Sequence, residues 1–584
     1  MANVIKSHWK VFIVALAVSM VFGGQHLVFL RSLGAEQYQP VTVAADYDTA
    51  TVYFPRAKAV YDGQWKVGDI NLIEYQGSPA PMPMLNPIVM GTLSRLLGSM
   101  KAGVIVSDFL FPPIIFLLFY SFIFMFSQRK FLSLFVSSLF IFVINLPFWE
   151  LHHLFKPPLV GFIFRRFEYP QITMPFYLLA AYFTYLAIQK RRTSFMILAG
   201  IFAGSLFYTY LYDWVSFFTG LGFLFSFLLV ARKWEAAKQI AGIIAIGLFL
   251  SSFYWANFFT LTHLPQYHDI VSRIGVEISH SVRFFTWKFY LRIALFAVMV
   301  YYTLRKRDSV SAMYLIAFLV PTFVTLNLQV LIGMNPQPDH WGRTAIPFAY
   351  ASLTMAAIVF HERYLKRISF RMLTVGSVVV LVLLFSLEIF YVFRIARLTQ
   401  ARHVIPSDRA ASYRWIRDNL TKTTVIGTLS PLTNLDMQLY IDNKLFLPFS
   451  INTVASNEEI WQRFFYLIKL YNVSPDGVRQ LFANQEGVPY HEQMSPYLFQ
   501  NTFYGNKLNS FFVDFDETKR IIPPKLIDEK IRQYSKLDGM KPAFKLDYVY
   551  YGPNEKLLGG EDPIKQNSKL QEVYKDEHVR VYKF

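Results

Sequence analysis

The sequence predicts a polytopic α-helical membrane protein of about eleven transmembrane helices, followed by a C-terminal extracytoplasmic mixed α/β domain. Three observations predict it. Apolar residues make up 54% of the 584 and charged residues only 16%, whereas a soluble chain carries nearer a quarter charged. The apolar excess lies in repeated runs of roughly 18 to 22 residues, too long for ordinary core helices. Between those runs, strongly basic loops alternate with loops of mixed chemistry.

The first run, residues 11–30, follows Lys6 and Lys10. It is long and no small-residue cleavage site follows it, so it reads as a span. Basic intervals at 128–130, 190–192, 232–233, 305–307 and 363–371 each close one apolar run and open the next. The positive-inside rule puts all five in the cytoplasm. The intervening turns at 31–100, 149–173, 208–214, 261–284 and 334–344 then face outward. The last span is expected over residues 373–393. An odd span count puts the N-terminus inside and the tail outside. The expected division is a membrane part, 1–394, with its first outer loop at 31–104, and an exported domain, 395–584.

Charge follows the same division. The tail holds 25 basic and 22 acidic residues, leaving 32 and 17 for the rest. The net charge of +18 therefore belongs mostly to the membrane part, where it sets topology. No basic stripe interleaved with stacking aromatics points to nucleic acid. There is no cysteine, which excludes disulfides, thiol nucleophiles and cysteine-ligated zinc. In the tail, residues 410–420 and 458–471 have helical periodicity, with Ser407 and Asp408 as cap chemistry. Residues 424–427, 547–550 and 578–582 alternate as strands. No nucleophile elbow, phosphate loop or metal-ligand spacing interrupts them.

The outward turns carry the chemistry. They hold Asp46 and Asp48, His152 and His153, Arg165 and Arg166, Asp213, Arg273 and Glu277, and the run Asp339, His340, Trp341 with Arg343. Asp46 and Asp48 follow the first span, and either could simply cap a helix. The stretch after them mixes Val52, Tyr53, Phe54, Val60 and Tyr61 with Arg56 and Lys58. That is the profile of a helix lying in the membrane interface, with the acids at headgroup depth. Pro79, Pro81, Pro83 and Pro87 make the next segment a rigid connector. Arg165, Arg166 and Arg343 lie near outer span ends, as anchors or as clamps on a lipid phosphate. His340 beside Trp341 reads as an interfacial pair or as a phosphate donor with an aromatic wall. An aromatic belt accounts for the rings of residues 207–214 but not for Asp213.

Together these features resemble the GT-C superfamily of membrane glycosyltransferases. It includes protein O-mannosyltransferases, aminoarabinose transferases and oligosaccharyltransferase catalytic subunits. The resemblance covers the whole architecture. In the first loop, Asp48 precedes Tyr53 and Ala57, and Gly63 ends the helix, similar to the family's acid followed by a tyrosine and a small-residue helix. The chain departs from the pattern in having no Glu after the Asp. It also lacks a Trp-Trp-Asp signature, which argues against protein N-glycosylation.

The resemblance implies inverting transfer of a sugar from a polyprenyl-phosphate-linked donor to a glycan, lipid or protein acceptor at the outer face of the cell membrane. It implies Asp48, or next Asp46, as the catalytic base. Arg165, Arg166, His340 and Arg343 would hold the phosphate, with Tyr53 and Asp213 as further substrate contacts. No cofactor or metal is implied. The other readings are a lipid or solute transporter or flippase of the cell envelope, and a non-catalytic envelope protein. A transporter predicts mid-membrane polar groups and internal repeats, and neither stands out.

Overall fold

Long apolar runs cannot leave backbone polar groups unpaired in lipid, so they fold as helices. In the computed structural model the described residues are 2–143, 163–282, 309–336, 340–364, 370–483, 494–505, 524–536 and 544–584, with isolated positions between 291 and 301. His152, His153, Asp339 and the basic interval 305–307 lie outside them.

Helices Ser7–Gln37, Met100–Ser127, Phe167–Lys190, Leu211–Val230 and Thr374–Arg402 are each long and apolar enough to cross a membrane. Trp234–Leu250 and Ser252–Thr262 add one further span if counted together, bent by 49°. Four shorter apolar helices, Lys130–Phe142, Thr193–Leu206, Ser309–Thr325 and Ile346–Val359, also occur. The 14 residues of Thr193–Leu206 reach only ~21 Å against a ~30 Å hydrocarbon core. The described residues thus hold five such helices, six with the bent pair, beside the shorter apolar ones, and parts of the expected spans lie outside them.

Two compact units emerge. The helical unit comprises Met1–Pro40, Pro83–Ala256 and Ser279–Ala401. It contains α1 (Ala2–Gln37), with α3 (Leu85–Leu96), α4 (Met100–Ser127) and α5 (Lys130–Val143) after the first loop. Next come α6 (Thr173–Lys190), α7 (Thr193–Leu206), α8 (Leu211–Val230) and α9 (Trp234–Leu250). Its core is aromatic: Phe119 stacks on Phe140 at 3.9 Å and Phe318 on Phe348 at 4.7 Å. Where α7 crosses α9 the backbones come close. A Cβ on Gly200 would lie 2.6 Å from Ile246, the use of small residues expected where lipid supplies no hydrophobic drive.

The second unit joins three separated stretches, Val41–Met82, Asn257–Ile278 and Arg402–Phe584. The sequence placed the first two with the membrane part, and the helix expected to end near residue 393 continues to Thr399. The unit is built on a five-stranded mixed sheet. Strands β1 (Val425–Gly427), β2 (Lys444–Leu445), β3 (Tyr548–Tyr551), β4 (Gln571–Lys575) and β5 (Arg580–Lys583) lie in the order β2-β1-β3-β5-β4. Pairings are parallel on the β1 side and antiparallel on the β5 side. Helices Ser407–Asn419 and Asn457–Leu470 fall where periodicity predicts. The expected cap differs: Pro406 stands at the N-cap, and Asp408 accepts instead from Arg409 at 3.1 Å.

Each minor stretch is tied in by buried polar bonds. Asp69 accepts from the backbone N–H of Asn71, Leu72 and Val454 and from Thr453 Oγ1. Arg273, 1% exposed, donates to the carbonyls of Ser450 and Ala455 and to Asn457 Oδ1. Arg273 is thus a structural bolt, and its appearance among the chemically rich turns has that explanation.

Candidate functional site

The two acids of the first loop lie in the second unit and have different tasks. Asp46 accepts from the Thr49 N–H at 3.2 Å and from Thr49 Oγ1 at 2.6 Å, capping the turn Thr49–Tyr53. Asp48 makes no capping bond and is exposed. Capping chemistry therefore accounts for Asp46 and does not account for Asp48. Tyr53 closes this turn, half-buried.

Helix α2 (Phe54–Tyr61) follows. It was expected to lie in the membrane interface, but Phe54, Pro55, Arg56, Ala57, Ala59 and Val60 are buried in protein. Lys58 pairs with Asp62 at 3.2 Å and with Asp442, and donates to the Ile441 carbonyl at 2.8 Å. Asn452 Nδ2 donates to the Thr51 carbonyl at 2.7 Å. Protein packing, not lipid, accounts for the amphipathic pattern.

The cationic residues belong to the helical unit, where they form two groups. In the first, Asp108 stands two turns into α4, 2% exposed. Its Oδ2 accepts from His26 Nε2 at 2.8 Å and from Arg165 Nε at 3.0 Å; its Oδ1 accepts from Gln171 Nε2 at 2.6 Å. With Nε2–H of His26 donating to the carboxylate, Nδ1 accepts from the Tyr38 hydroxyl at 2.5 Å. Arg165 is thereby committed to an internal ion pair. Asp108 grips both ends of the segment 165–171, and so fixes Arg166 and Tyr169 between them.

In the second group Tyr169 is the centre. Its ring stacks on Tyr210 at 4.9 Å, and the Arg343 guanidinium lies 5.6 Å from the ring centre. Arg166 lies three residues before Tyr169, and Asp213 three residues after Tyr210 at the start of α8. Tyr210 OH and His340 Nδ1 are 3.0 Å apart, and Tyr212 packs edge-on to both His340 and Trp341. Trp341 is fully buried and donates to Asn335 Oδ1 at 2.8 Å. Burial, reinforced by Arg343 and Arg166, pushes His340 down to about 2. That direction favours the neutral imidazole, which can still donate or accept a hydrogen bond. Arg343 and His340 meet at the Tyr169–Tyr210 stack, while Arg165 belongs to the Asp108 group.

Sequence reading missed His26, Tyr38, Asp108, Tyr169 and Gln171. A signal existed for two of them, since an ionisable residue inside an apolar span is a functional pointer in its own right. Among the described residues no group of three or more His, Asp or Glu side chains could hold a metal ion.

No protein-family model and no curated protein sequence matches the chain. Solved structures do. ArnT from Cupriavidus metallidurans bound to undecaprenyl phosphate is 12% identical, with 98% of each chain covered and a TM-score of 0.47. The same protein in its apo state is 13% identical, covering 99% of this chain and 98% of that one, at 0.46. The Archaeoglobus fulgidus oligosaccharyltransferase, in complex with zinc and sulfate, is 10% identical over 93% of this chain and 68% of its own, at 0.44. These likenesses are distant ones of chain course, and the chemistry of the site rests on this chain's own residues.

Proposed function

We propose that the chain is a membrane glycosyltransferase that moves a sugar from a polyprenyl-phosphate-linked donor to an acceptor at the outer face of the cell membrane. The observation that carries this reading is the Arg343 guanidinium over the Tyr169–Tyr210 stack, with Arg166 three residues before Tyr169 in the segment that Asp108 holds. A guanidinium group over an aromatic wall, among helices apolar enough to span a bilayer, suits an anionic headgroup whose tail stays in lipid. A neutral His340 adds a hydrogen-bonding group without a third charge.

In the proposed reaction Asp48 takes the proton of an acceptor hydroxyl, and that oxygen bonds to the anomeric carbon. The bond from that carbon to the phosphate oxygen breaks, its electron pair leaving with the phosphate. The transition state is oxocarbenium-like and inverts the configuration. Arg166 and Arg343 stabilise the charge on the departing phosphate, which needs no proton. On this reading the basic loops are cytoplasmic, the second unit is extracytoplasmic and the acceptor is a glycan, lipid or protein.

The test is transfer of labelled sugar from polyprenyl-phosphate-linked donors by the purified chain in proteoliposomes. Asp48→Asn should insert and fold normally while losing transfer by about a hundredfold or more. Full transfer by Asp48→Asn would remove Asp48 as the base. Movement of donor lipid across the bilayer without any transfer would favour a flippase.

A further inference from the structure

Buried polar atoms normally find partners, so a cluster that does not calls for an explanation. In the helical unit Asn86 Oδ1, Gln171 Oε1, Thr173 Oγ1, Asp213 Oδ2 and Ser216 Oγ are buried and meet no hydrogen-bond partner among the described residues. None of these side chains is more than 4% exposed. They sit on elements that pack around Tyr169. The start of α3 is bonded to the turn before α8, through Leu85 N–H to the Tyr208 carbonyl at 2.8 Å and Asn86 Nδ2 to the Thr209 carbonyl at 2.7 Å. Tyr169 stacks on Tyr210 of that turn, and Gln171 and Thr173 follow it in the chain. Asp213 and Ser216 are three residues apart on α8 and share a helix face.

The donor and acceptor balance of these atoms is one-sided. The two amide oxygens only accept, and the carboxyl group of Asp213 and the hydroxyls of Thr173 and Ser216 can do so. What satisfies them is a ligand rich in O–H donors. Tyr169, stacked on Tyr210 and faced by the Arg343 guanidinium, links this surface to a cation, which calls for an anion. A glycosyl phosphate carries both features in one molecule.

We propose that Asn86, Gln171, Thr173, Asp213 and Ser216 form a hydroxyl-recognition subsite for the sugar of the donor, beside the arginines that take its phosphate. The inference rests on the carrier reading above and adds the residues that read the sugar. Asp213 is its most telling member, an acid held inside an apolar span with an oxygen that no described residue meets.

Native mass spectrometry of the full chain in lipid nanodiscs tests it, with undecaprenyl phosphate and a set of undecaprenyl-phosphate-linked hexoses and pentoses as probes. The parent should hold at least one sugar-bearing lipid more tightly than the bare lipid. Asp213→Asn and Asn86→Leu should each cut that preference by about tenfold while holding bare undecaprenyl phosphate as the parent does. Ser216→Ala and Thr173→Val should keep or raise the melting temperature, since each removes a buried group that protein does not satisfy. A parent that binds bare lipid and every sugar lipid alike overturns the subsite alone, as do variants that keep the preference or melt lower. A parent that binds no undecaprenyl phosphate overturns the carrier reading and the subsite with it.

Discussion

Asp108 and Asp213 are both acids of the helical unit, 2% and 3% exposed, and their surroundings are opposite. Asp108 has His26, Arg165 and Gln171 on its two oxygens. Asp213 has an oxygen that no described residue meets. A buried charge held by several donors fixes the backbone that carries them, whereas an unmet buried acceptor adds nothing to the fold. The first is therefore architecture, and the second is the acid that the proposed subsite assigns to the sugar. The second unit holds a milder version of the contrast, with Asp46 bound into a cap and Asp48 exposed.

The largest effect expected from this contrast is on stability. Asp108→Ala leaves Arg165 and His26 without their acceptor and should cost about 3–5 kcal/mol, read as a fall in unfolding midpoint in detergent or nanodiscs. A loss for Asp213→Ala equal to that for Asp108→Ala would erase the distinction. Next comes Arg343→Ala, which should weaken undecaprenyl phosphate binding by about tenfold, or somewhat more, with folding intact. Equal binding by parent and variant would make Arg343 a helix anchor. In the second unit Asp46→Ala should cost about 1 kcal/mol of stability, the usual value of a lost cap, with transfer largely retained. A transfer defect as deep as that of Asp48→Asn would reverse the roles of the two acids.

The smallest effect concerns pH. His340 is held at about 2 by burial and by Arg343 and Arg166, while an unfolded histidine titrates near about 6.5. The unfolded chain therefore binds the extra proton, and stability falls as pH drops below about 6.5. His340→Gln should remove that part of the acid sensitivity. Lipid-phosphate affinity should show no inflection from His340 near neutrality. An affinity gain on acidification that His340→Gln abolishes would mean the imidazole does become a cation.

What could be read in advance divides along physical lines. Apolar runs, basic loops and alternating strands are local patterns, so the helices and β1, β3 and β5 were legible. Strands β2 and β4 were not: β2 has two residues, and β4 reads Gln571-Glu572-Val573-Tyr574-Lys575, a largely exposed edge with no apolar face. Amphipathicity located α2 but could not say whether its apolar side meets lipid or protein, and Lys58 with Asp442 decides for protein. Asp46 and Asp48 looked alike until hydrogen-bond geometry separated them. Arg166 and Arg343 were legible as arginines at span ends, and only the fold set Arg343 against Tyr169. The Asp108 group joins residues from α1, α4 and the segment before α6, and pairing over such distances leaves no local signature.

The way the second unit is assembled has a consequence for its biosynthesis. Asp69, Glu74 and Asn71 in the early loop find their partners Thr453, Arg463 and Leu445 only in the last third of the chain. At about 5–20 residues per second the ribosome needs on the order of tens of seconds to reach them. During that interval Asp69 can have its local donors, the N–H groups of Asn71 and Leu72, but not those of Thr453 and Val454, and residues 41–82 have no sheet to join. A secretion-ready fragment beginning at residue 402 would face the converse problem, with Arg463 facing an empty place where Glu74 belongs. The early loop is thus a stored part, made first and fitted last, and the unit matures only when translation is nearly complete.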